Sequence, residues 1–268
     1  MRALDVRVEA ALASVDEDCR WELIGGIVRD CPDDVLQLCL RLLRDAAAHE
    51  RTLGADVLGR LVGIDPGARP AALTALLDAL SVETDSCAVA SIVAALGHIG
   101  SADALGRIVP LAGNSDAGVR LAVAFAVATL SPQPLSRDVR FALIKLSGDA
   151  EPEVRDWATF GLGTLSSDDG PDVRAALLAR TEDAYHTTRA EALFGLAVRR
   201  DPRAVPHLIR ALESPAVVGL ELDAAAEARD PRLLPALWAL QRAGLADAVR
   251  IRRAIDRCSG QERPVLLA

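Results

Sequence analysis

The chain of 268 residues carries a formal net charge of −8, and 51% of its residues are hydrophobic although only 3% are aromatic. An acidic protein lacks the positive field that neutralises phosphates, so general nucleic-acid binding is disfavoured. The apolar residues are mostly Ala, Leu and Val; Ala and Leu are strong helix formers, and the β-branched and aromatic excess of a β protein is missing. We therefore predict an all-α protein.

The first thirteen residues predict an opening helix near 2–13 and no targeting signal. Charges at Arg2, Asp5, Arg7 and Glu9 interrupt the apolar stretch that a signal peptide requires. No run of about eighteen uncharged apolar residues follows anywhere, so we predict no membrane span. We expect a cytoplasmic protein.

The five cysteines are an odd number without a C-x-x-C pair, at Cys19, Cys31, Cys39, Cys87 and Cys258. Most lie within apolar helical patterns, where a free thiol behaves as a small hydrophobic side chain. We predict reduced, structural cysteines and no metal site.

The N-terminal part of the chain predicts three helix pairs, at 16–44, 48–80 and 85–112. Arg51 with Leu58 and Leu61 begins a weak repeat pattern. Ser86 with Val93 and Leu96 continues it after an interval of 35 residues.

The pattern is strongest in the middle of the chain, where three seven-residue segments align at 119–125, 154–160 and 188–194. Their arginines, Arg120, Arg155 and Arg189, are separated by 35 and 34 residues. Such a fixed period is the signature of a repeat architecture. Each aligned arginine is followed five places later by a phenylalanine. We predict that Phe125, Phe160 and Phe194 are equivalent core residues.

Small and apolar residues recur at fixed offsets after these arginines, along one side of a helix. Gly161 and Gly195 share the offset of six. Because glycine in a helix interior costs roughly 1 kcal/mol relative to alanine, its recurrence predicts a close approach of two helices.

Short breaks separate the first helix of each pair from the second. The clearest are Arg200-Asp201-Pro202-Arg203 and Arg229-Asp230-Pro231-Arg232, where Asp can cap a helix and Pro suits its first turn. They complete four further pairs at 116–147, 150–180, 184–213 and 216–242, with a capping helix near 245–257.

These elements predict a right-handed α-solenoid of about seven helix pairs. Because no long linker interrupts the array, we assign 1–268 to one domain. It comprises an N-terminal cap (1–15), the repeats (16–242) and a C-terminal cap (243–268). We expect a monomer.

The motif Val-Arg-x-x-Ala-x-x-x-Leu, followed by Asp-Pro-Arg-Ala-Val-Pro-x-Leu, resembles the bacterial HEAT-like repeat, also called the phycobilisome-lyase HEAT-like repeat. The resemblance is strongest over 116–240, weak over 16–112 and absent at both ends. It implies a solenoid of HEAT-type helix pairs. It says little about function, because such arrays serve as adaptors, receptors, lyases and DNA-repair enzymes.

Three enzymatic branches of this fold were compared with the residues present. Deoxyhypusine-type hydroxylases hold iron with several His-Glu pairs, whereas this chain has only His49-Glu50. Alkylpurine glycosylases need a basic, aromatic-lined cleft for DNA. Bilin lyases contain the same repeat, but the repeat alone does not confer their activity. No known catalytic motif occurs. We predict that the protein is not an enzyme and has no cofactor; a HEAT-fold enzyme of the bilin-lyase or alkylpurine-DNA-glycosylase kind is the alternative.

The acidic turns at 149–153 and 166–169 precede helix starts, where negative charge complements the helix dipole. Neither has the alternating ligand spacing of a calcium loop.

The predicted function is a non-catalytic scaffold that binds a protein or peptide on its concave or edge surface. Trp157 is one candidate contact, although it could instead pack between adjacent repeats. Tyr185 and His186 lie in a turn that departs from the repeat, although Thr187 or Thr188 there could simply cap the next helix. Loops on one edge of a solenoid often line its binding surface.

The second helices carry arginines about one repeat, or a multiple of it, apart, at Arg41, Arg107, Arg140, Arg174 and Arg210. Such a ladder would suit an acidic or phosphorylated peptide. Alternatively, the arginines are solvated or pair with carboxylates such as Asp138 and Asp172. The predicted partner-binding residues are Trp157, Arg174, Tyr185, His186 and Arg210.

Overall fold

A computed structural model describes residues 3–14, 16–30, 32–214, 216–244 and 247–261. These ranges contain sixteen α-helices, four short 3-10 segments and no β-strand. The predicted all-α class and its helix pairs are confirmed. No helix within these ranges is both long and apolar enough to cross a bilayer.

The chain divides into two compact units, Met1–Pro132 and Gln133–Ala268. The assignment of 1–268 to a single domain stays a prediction. Parts of the predicted caps (1–2, 15, 245–246 and 262–268) lie outside the described residues, as does Cys31.

The first unit contains eight helices: α1 Ala3–Ala13, α2 Glu17–Asp30, α3 Pro32–Leu42, α4 Ala48–Ile64, α5 Arg69–Leu80, α6 Ser86–Ile99, α7 Leu105–Ile108 and α8 Ala117–Leu130. They begin and end close to the predicted pairs. The exception is α7, which covers only four residues and continues as a 3-10 segment, Val109–Gly113. Pro110 accounts for this, because proline lacks the N–H that an α-helix requires.

The second unit contains the remaining eight: α9 Arg137–Leu146, α10 Pro152–Gly163, α11 Pro171–Arg180, α12 His186–Val198, α13 Ala204–Leu212, α14 Gly219–Ala228, α15 Leu234–Ala243 and α16 Ala248–Cys258. All seven predicted pairs and both predicted cap helices therefore have a counterpart.

Within each unit the first helices of successive pairs stack on one another. In the first unit α4 packs on α6 and α6 on α8; in the second, α12 packs on α10 and α14, and α14 packs on α16. Aliphatic side chains fill these contacts, and the fully buried ones include Leu58, Leu96, Leu162, Leu196 and Leu208. Each repeat is thus stabilised by its neighbours, as in other repeat proteins.

The predicted close approach at Gly195 is confirmed, and its partner is Gly163. A Cβ atom on Gly195 would lie 2.5 Å from the Cα of Gly163. Helices α10 and α12 can cross at this distance only because both residues lack side chains.

The three aligned phenylalanines are equivalent, as predicted, since each is the ninth residue of a first helix, but they lie at the margin of the core. Phe125, Phe160 and Phe194 are all half-buried. The Phe125 ring lies 4.8 Å from that of His98, and the Phe160 ring meets Trp157 edge-on at 5.8 Å. The aliphatic residues described above fill the core instead, so these rings cover its margin.

The repeat register also needs one correction. Arg51, Arg120, Arg155 and Arg189 are each the fourth residue of a first helix. Because α6 begins at Ser86, its equivalent position is Val89, three residues later than the alignment of Ser86 implied. We call the four aligned residues the repeat arginines.

Both predicted Asp-Pro breaks are turns closed by their aspartate, but only Asp230 is an N-cap, of the 3-10 segment Pro231–Leu233 that precedes α15. Asp201 accepts the backbone N–H of Arg203 at 3.0 Å, and Asp230 accepts that of Arg232 at 2.9 Å. Each carboxylate also binds the guanidinium of the same arginine, which holds the pKa values of Asp201 and Asp230 below their ordinary range.

Arg199 has a structural role that the sequence did not reveal. It is 8% exposed and donates to the carbonyl groups of five residues: Leu162, Gly163, Ser166, Asp168 and Gly195. The last carbonyls of a helix lack partners within it, so this side chain closes α10 and joins it to α12.

Of the cysteines in the described ranges, Cys19 and Cys87 are exposed, Cys39 and Cys258 are buried, and all four are free thiols. Burial raises the pKa of the Cys258 thiol to about 11, and it raises that of Cys39 as well.

Candidate functional site

All five predicted partner-binding residues lie in the second unit, but the structure brings only two of them together. His186 and Arg210 line a cavity of about 310 Å³. It is bounded by the turn after α11, the start of α12, the end of α13 and the first turns of α14. Its polar walls are formed by Glu182, His186, Arg189, His207, Arg210 and Glu221. We call this cavity the C-terminal groove.

The outer wall of the C-terminal groove is an exposed network. Arg210 Nη2 donates to Glu182 Oε1 at 2.6 Å and lies 2.8 Å from His207 Nδ1. The Arg210 and Glu182 side chains remain 61% and 71% exposed. An ion pair in this setting is screened by water and contributes little to stability, so both side chains can rearrange around a ligand.

The inner wall is a buried carboxylate. The Glu221 side chain is only 4% exposed and lies 3.5 Å from His186 Nε2. Its second oxygen accepts the Val218 backbone N–H at 3.0 Å. Because a buried carboxylate is costly unless it is hydrogen-bonded, these contacts fix Glu221 and orient the imidazole of His186.

Tyr185 directly precedes His186 and is 40% exposed. It is the N-cap residue of α12, and its backbone N–H is held by the Asp183 carboxylate at 2.9 Å. The neighbouring Thr187 and Thr188 do not cap the helix: both hydroxyls donate to Asp156.

Trp157 lies on α10, outside the C-terminal groove. It is half-buried and meets the ring of Phe160 edge-on. This contact lies within α10, so the role of Trp157 in partner binding stays a prediction.

Arg174 is engaged within the chain. It pairs with Asp169 at 2.6 Å and Asp201 at 3.2 Å, and it donates to the Arg199 carbonyl at 2.8 Å. The hydrogen bond from Arg174 lowers the pKa of Asp169. Arg174 therefore stabilises the turn between α12 and α13.

The other arginines of the predicted ladder differ in their surroundings. Arg140 lies 3.3 Å from Asp172 and 3.7 Å from Asp168, as in the alternative that paired these arginines with carboxylates. Arg41 and Arg107 are exposed, and neither forms an ion pair with any described residue. The second helices thus carry both paired and solvated arginines.

The repeat arginines share one structural role. The sequence alignment detected these residues but did not explain them. In each of the four, Nη1 donates to the two carbonyls six and five residues earlier. These carbonyls belong to the turn that leads into the same helix. The regular spacing of Arg51, Arg120, Arg155 and Arg189 was the signal for this role.

The acidic turns also form backbone hydrogen bonds, one within a turn and one between two turns. Asp149 accepts the backbone N–H of Glu151 at 3.0 Å, and Asp168 accepts that of Leu135 at 3.3 Å. Across the described ranges, no group of three or more His, Cys, Asp or Glu side chains is placed to hold a metal ion.

Comparison with known proteins supports the fold. No family model matches the chain. Protein YibA of Escherichia coli K12 is 33% identical over 122 residues, which is 44% of this chain and 41% of YibA. The matched region thus spans about two fifths of that relative's length. The X-ray structure of YibA superposes with a TM-score of 0.76 at 23% identity, over 95% of this chain and 92% of YibA.

The predicted resemblance to HEAT-like repeat proteins is confirmed. Further solved structures align along most of this chain. They include an archaeal HEAT-like repeats protein from Thermococcus onnurineus NA1, at a TM-score of 0.46 and 16% identity, over 97% of this chain and 98% of that one. At these identities the likeness concerns the fold alone.

The prediction that the protein is not an enzyme was wrong as an inference from fold and motifs. The solved structures that align along most of this chain include the complex of CpcE and CpcF of phycocyanin lyase from Nostoc sp. PCC7120. It covers 96% of this chain and 94% of that one, at 15% identity and a TM-score of 0.48. Human deoxyhypusine hydroxylase aligns over 96% of this chain and 95% of its own, at 19% identity and a TM-score of 0.37. A helical-repeat fold excludes no activity and assigns none.

Proposed function

We propose that the protein binds a protein or peptide partner at the edge of its second unit, through the C-terminal groove and the adjoining Tyr185. The observation that carries this proposal is the convergence of His186, His207 and Arg210 on one cavity, beside an exposed tyrosine. We propose a protein rather than a nucleic-acid partner because the chain is acidic overall.

The chemistry of the C-terminal groove supports recognition of a peptide. Imidazole and guanidinium groups donate hydrogen bonds to backbone carbonyls and acidic side chains, while Leu193 and Ala211 supply apolar surface in the same cavity. Tyrosine and arginine are also enriched among the residues that dominate interface energetics.

A random-peptide display selection on the immobilised protein tests this proposal. Selected peptides are then titrated by fluorescence anisotropy against wild type, Tyr185→Ala and Arg210→Ala. Each substitution is expected to weaken binding by at least about 1 kcal/mol. Arg107→Ala is the matched control, since Arg107 is an exposed second-helix arginine outside the groove.

The melting curves of the two groove variants should match that of wild type, because both side chains are exposed. Failure to select any peptide, or equal binding by all four proteins, would refute the proposal.

A further inference from the structure

The turns that lead into α4, α6, α8, α10 and α12 each have a hydrogen-bond acceptor at the same position. The residue three places before the helix start has a side-chain oxygen that accepts the backbone N–H of the residue two places after it, at 2.9 to 3.0 Å. The residues are Asp45, Glu83, Asn114, Asp149 and Asp183. We call this position the turn acceptor.

At Glu83 and Asp183 the turn acceptor also binds the repeat arginine of the preceding repeat. Arg51 donates from Nε and Nη2 to the two oxygens of Glu83, at 2.6 and 2.9 Å. Arg155 makes the same pair of bonds to Asp183, at 2.8 and 2.9 Å. This two-pronged geometry is the strongest way for arginine to hold a carboxylate.

The type of residue at the turn acceptor depends on the residue at the repeat-arginine position of the preceding repeat. Where the arginine is replaced by Val89, the next turn acceptor is Asn114, which carries no charge. An asparagine still accepts the backbone N–H, but it has no charge for a guanidinium to neutralise. The carboxylates of Glu83 and Asp183 therefore serve the arginine as well as the turn.

Arg189 departs from this pattern. Three residues before α14 the chain has Ala216, and the Val218 N–H is accepted by Glu221 instead. Arg189 keeps the turn bonds from Nη1, to the carbonyls of Asp183 and Ala184 at 2.6 and 3.0 Å. Its Nε and Nη2 make no hydrogen bond within the described ranges.

The half-buried Arg189 lines the C-terminal groove. The two carboxylates of that cavity are held by other groups: Glu182 by Arg210, and Glu221 by His186 and the Val218 N–H. Neither forms an ion pair with Arg189. The guanidinium thus presents two donors to the groove in the orientation that holds a carboxylate elsewhere in the chain.

We propose that the C-terminal groove recognises an acidic side chain, aspartate or glutamate, whose carboxylate binds Nε and Nη2 of Arg189. This rests on the proposed function, since it names the chemistry of the partner that the groove accepts. A carboxylate fits better than a phosphate, because the additional charge of a phosphate would lie in a cavity that also contains Glu182 and Glu221.

The probe is N-acetylglutamate methylamide, with N-acetylglutamine methylamide as its neutral match. Each is titrated into ¹⁵N-labelled protein while the arginine Nε–Hε resonances are followed by NMR. The acid is expected to shift one resonance, which is missing from the spectrum of Arg189→Gln. Equal shifts from the acid and the amide would overturn the proposal, and so would tighter binding of inorganic phosphate.

Two variants at the turn acceptor sharpen the test. Ala216→Asp supplies an internal carboxylate and is expected to weaken binding of the acidic probe at least tenfold, whereas the neutral Ala216→Asn should keep the wild-type affinity. Melting curves check that both variants fold. Unchanged affinity in Arg189→Gln would contradict the proposal whatever the Ala216 variants do.

The outcome is separable from that of the proposed function. If the acidic probe binds at Arg189 but no peptide is ever selected, the carboxylate site stands and the peptide-binding function fails. If peptides bind the C-terminal groove without needing an acidic residue, the function stands and the carboxylate site fails.

Discussion

Two grooves at equivalent places in the repeat differ at the turn acceptor. The N-terminal groove, a cavity of about 410 Å³ between the ends of α3 and α5, is lined by Arg51, Glu83 and Val82 among others. The C-terminal groove lies between the ends of α11 and α13 beside Arg189. In the N-terminal groove, the carboxylate of Glu83 neutralises Arg51. In the C-terminal groove, the turn-acceptor position is occupied by Ala216, whose side chain cannot accept a hydrogen bond. One residue thus decides whether the repeat arginine serves the fold alone or can also serve a ligand.

The largest expected effect is on stability. Arg51→Gln leaves the Glu83 carboxylate, which is 4% exposed, without its guanidinium. Arg189→Gln loses only the turn bonds. Arg51→Gln should therefore lower the free energy of unfolding by about 2 kcal/mol more than Arg189→Gln. Urea denaturation followed by circular dichroism measures the difference, and equal losses would remove the distinction between the two grooves.

A second effect is a dependence of stability on pH. The hydrogen bonds from Arg51 lower the pKa of Glu83 from 4.5 to about 2. A carboxyl whose pKa is lower in the folded state stabilises the protein above its unfolded pKa, and this stabilisation is lost as the pH falls through the folded value.

The melting-temperature difference between wild type and Glu83→Gln should therefore be full at pH 6 and shrink between about pH 4.5 and pH 2. Ala216→Asn, which changes the corresponding position without removing a charge, is the control. A difference that stays constant with pH would show that the Glu83 charge does not stabilise the first unit.

The smallest expected effect is a gain of binding. Glu83→Ala reproduces in the N-terminal groove the arrangement found at Ala216, so Arg51 should acquire weak, millimolar-range affinity for N-acetylglutamate methylamide. A second Nε–Hε resonance would then shift in the NMR titration. If none appears, features of the C-terminal groove beyond the missing carboxylate are required.

The helix pairs were predictable from the sequence because they depend on local signals. The 34- to 35-residue spacing, the Asp-Pro breaks and the helix-forming composition all act over short distances. The register failed at Ser86, where the repeat arginine is replaced by Val89 and the marker of the alignment is lost. The phenylalanines share one position, as predicted, but lie at the margin of the core, because helical spacing fixes a face and not the depth to which a neighbouring helix covers it.

The candidate site was less accessible to sequence reasoning. His186 and Arg210 were found through composition. His207, three residues before Arg210 on α13, could have been found from helical spacing, whereas Glu221 reaches the same cavity from α14 and no spacing indicates it. Arg189 was aligned from the start. Its difference from Arg51 and Arg155 became visible only once the structure showed that Glu83 and Asp183 are the partners of those two arginines.

The most direct test of the account is a double-mutant cycle between the protein and a peptide obtained by display selection. Each acidic residue of the peptide is replaced in turn by its amide, and binding is measured to wild type and to Arg189→Gln. We predict one acidic position whose replacement weakens binding to wild type at least tenfold and leaves binding to Arg189→Gln unchanged. If every replacement weakens binding to both proteins equally, Arg189 does not hold the ligand carboxylate and the central claim is wrong.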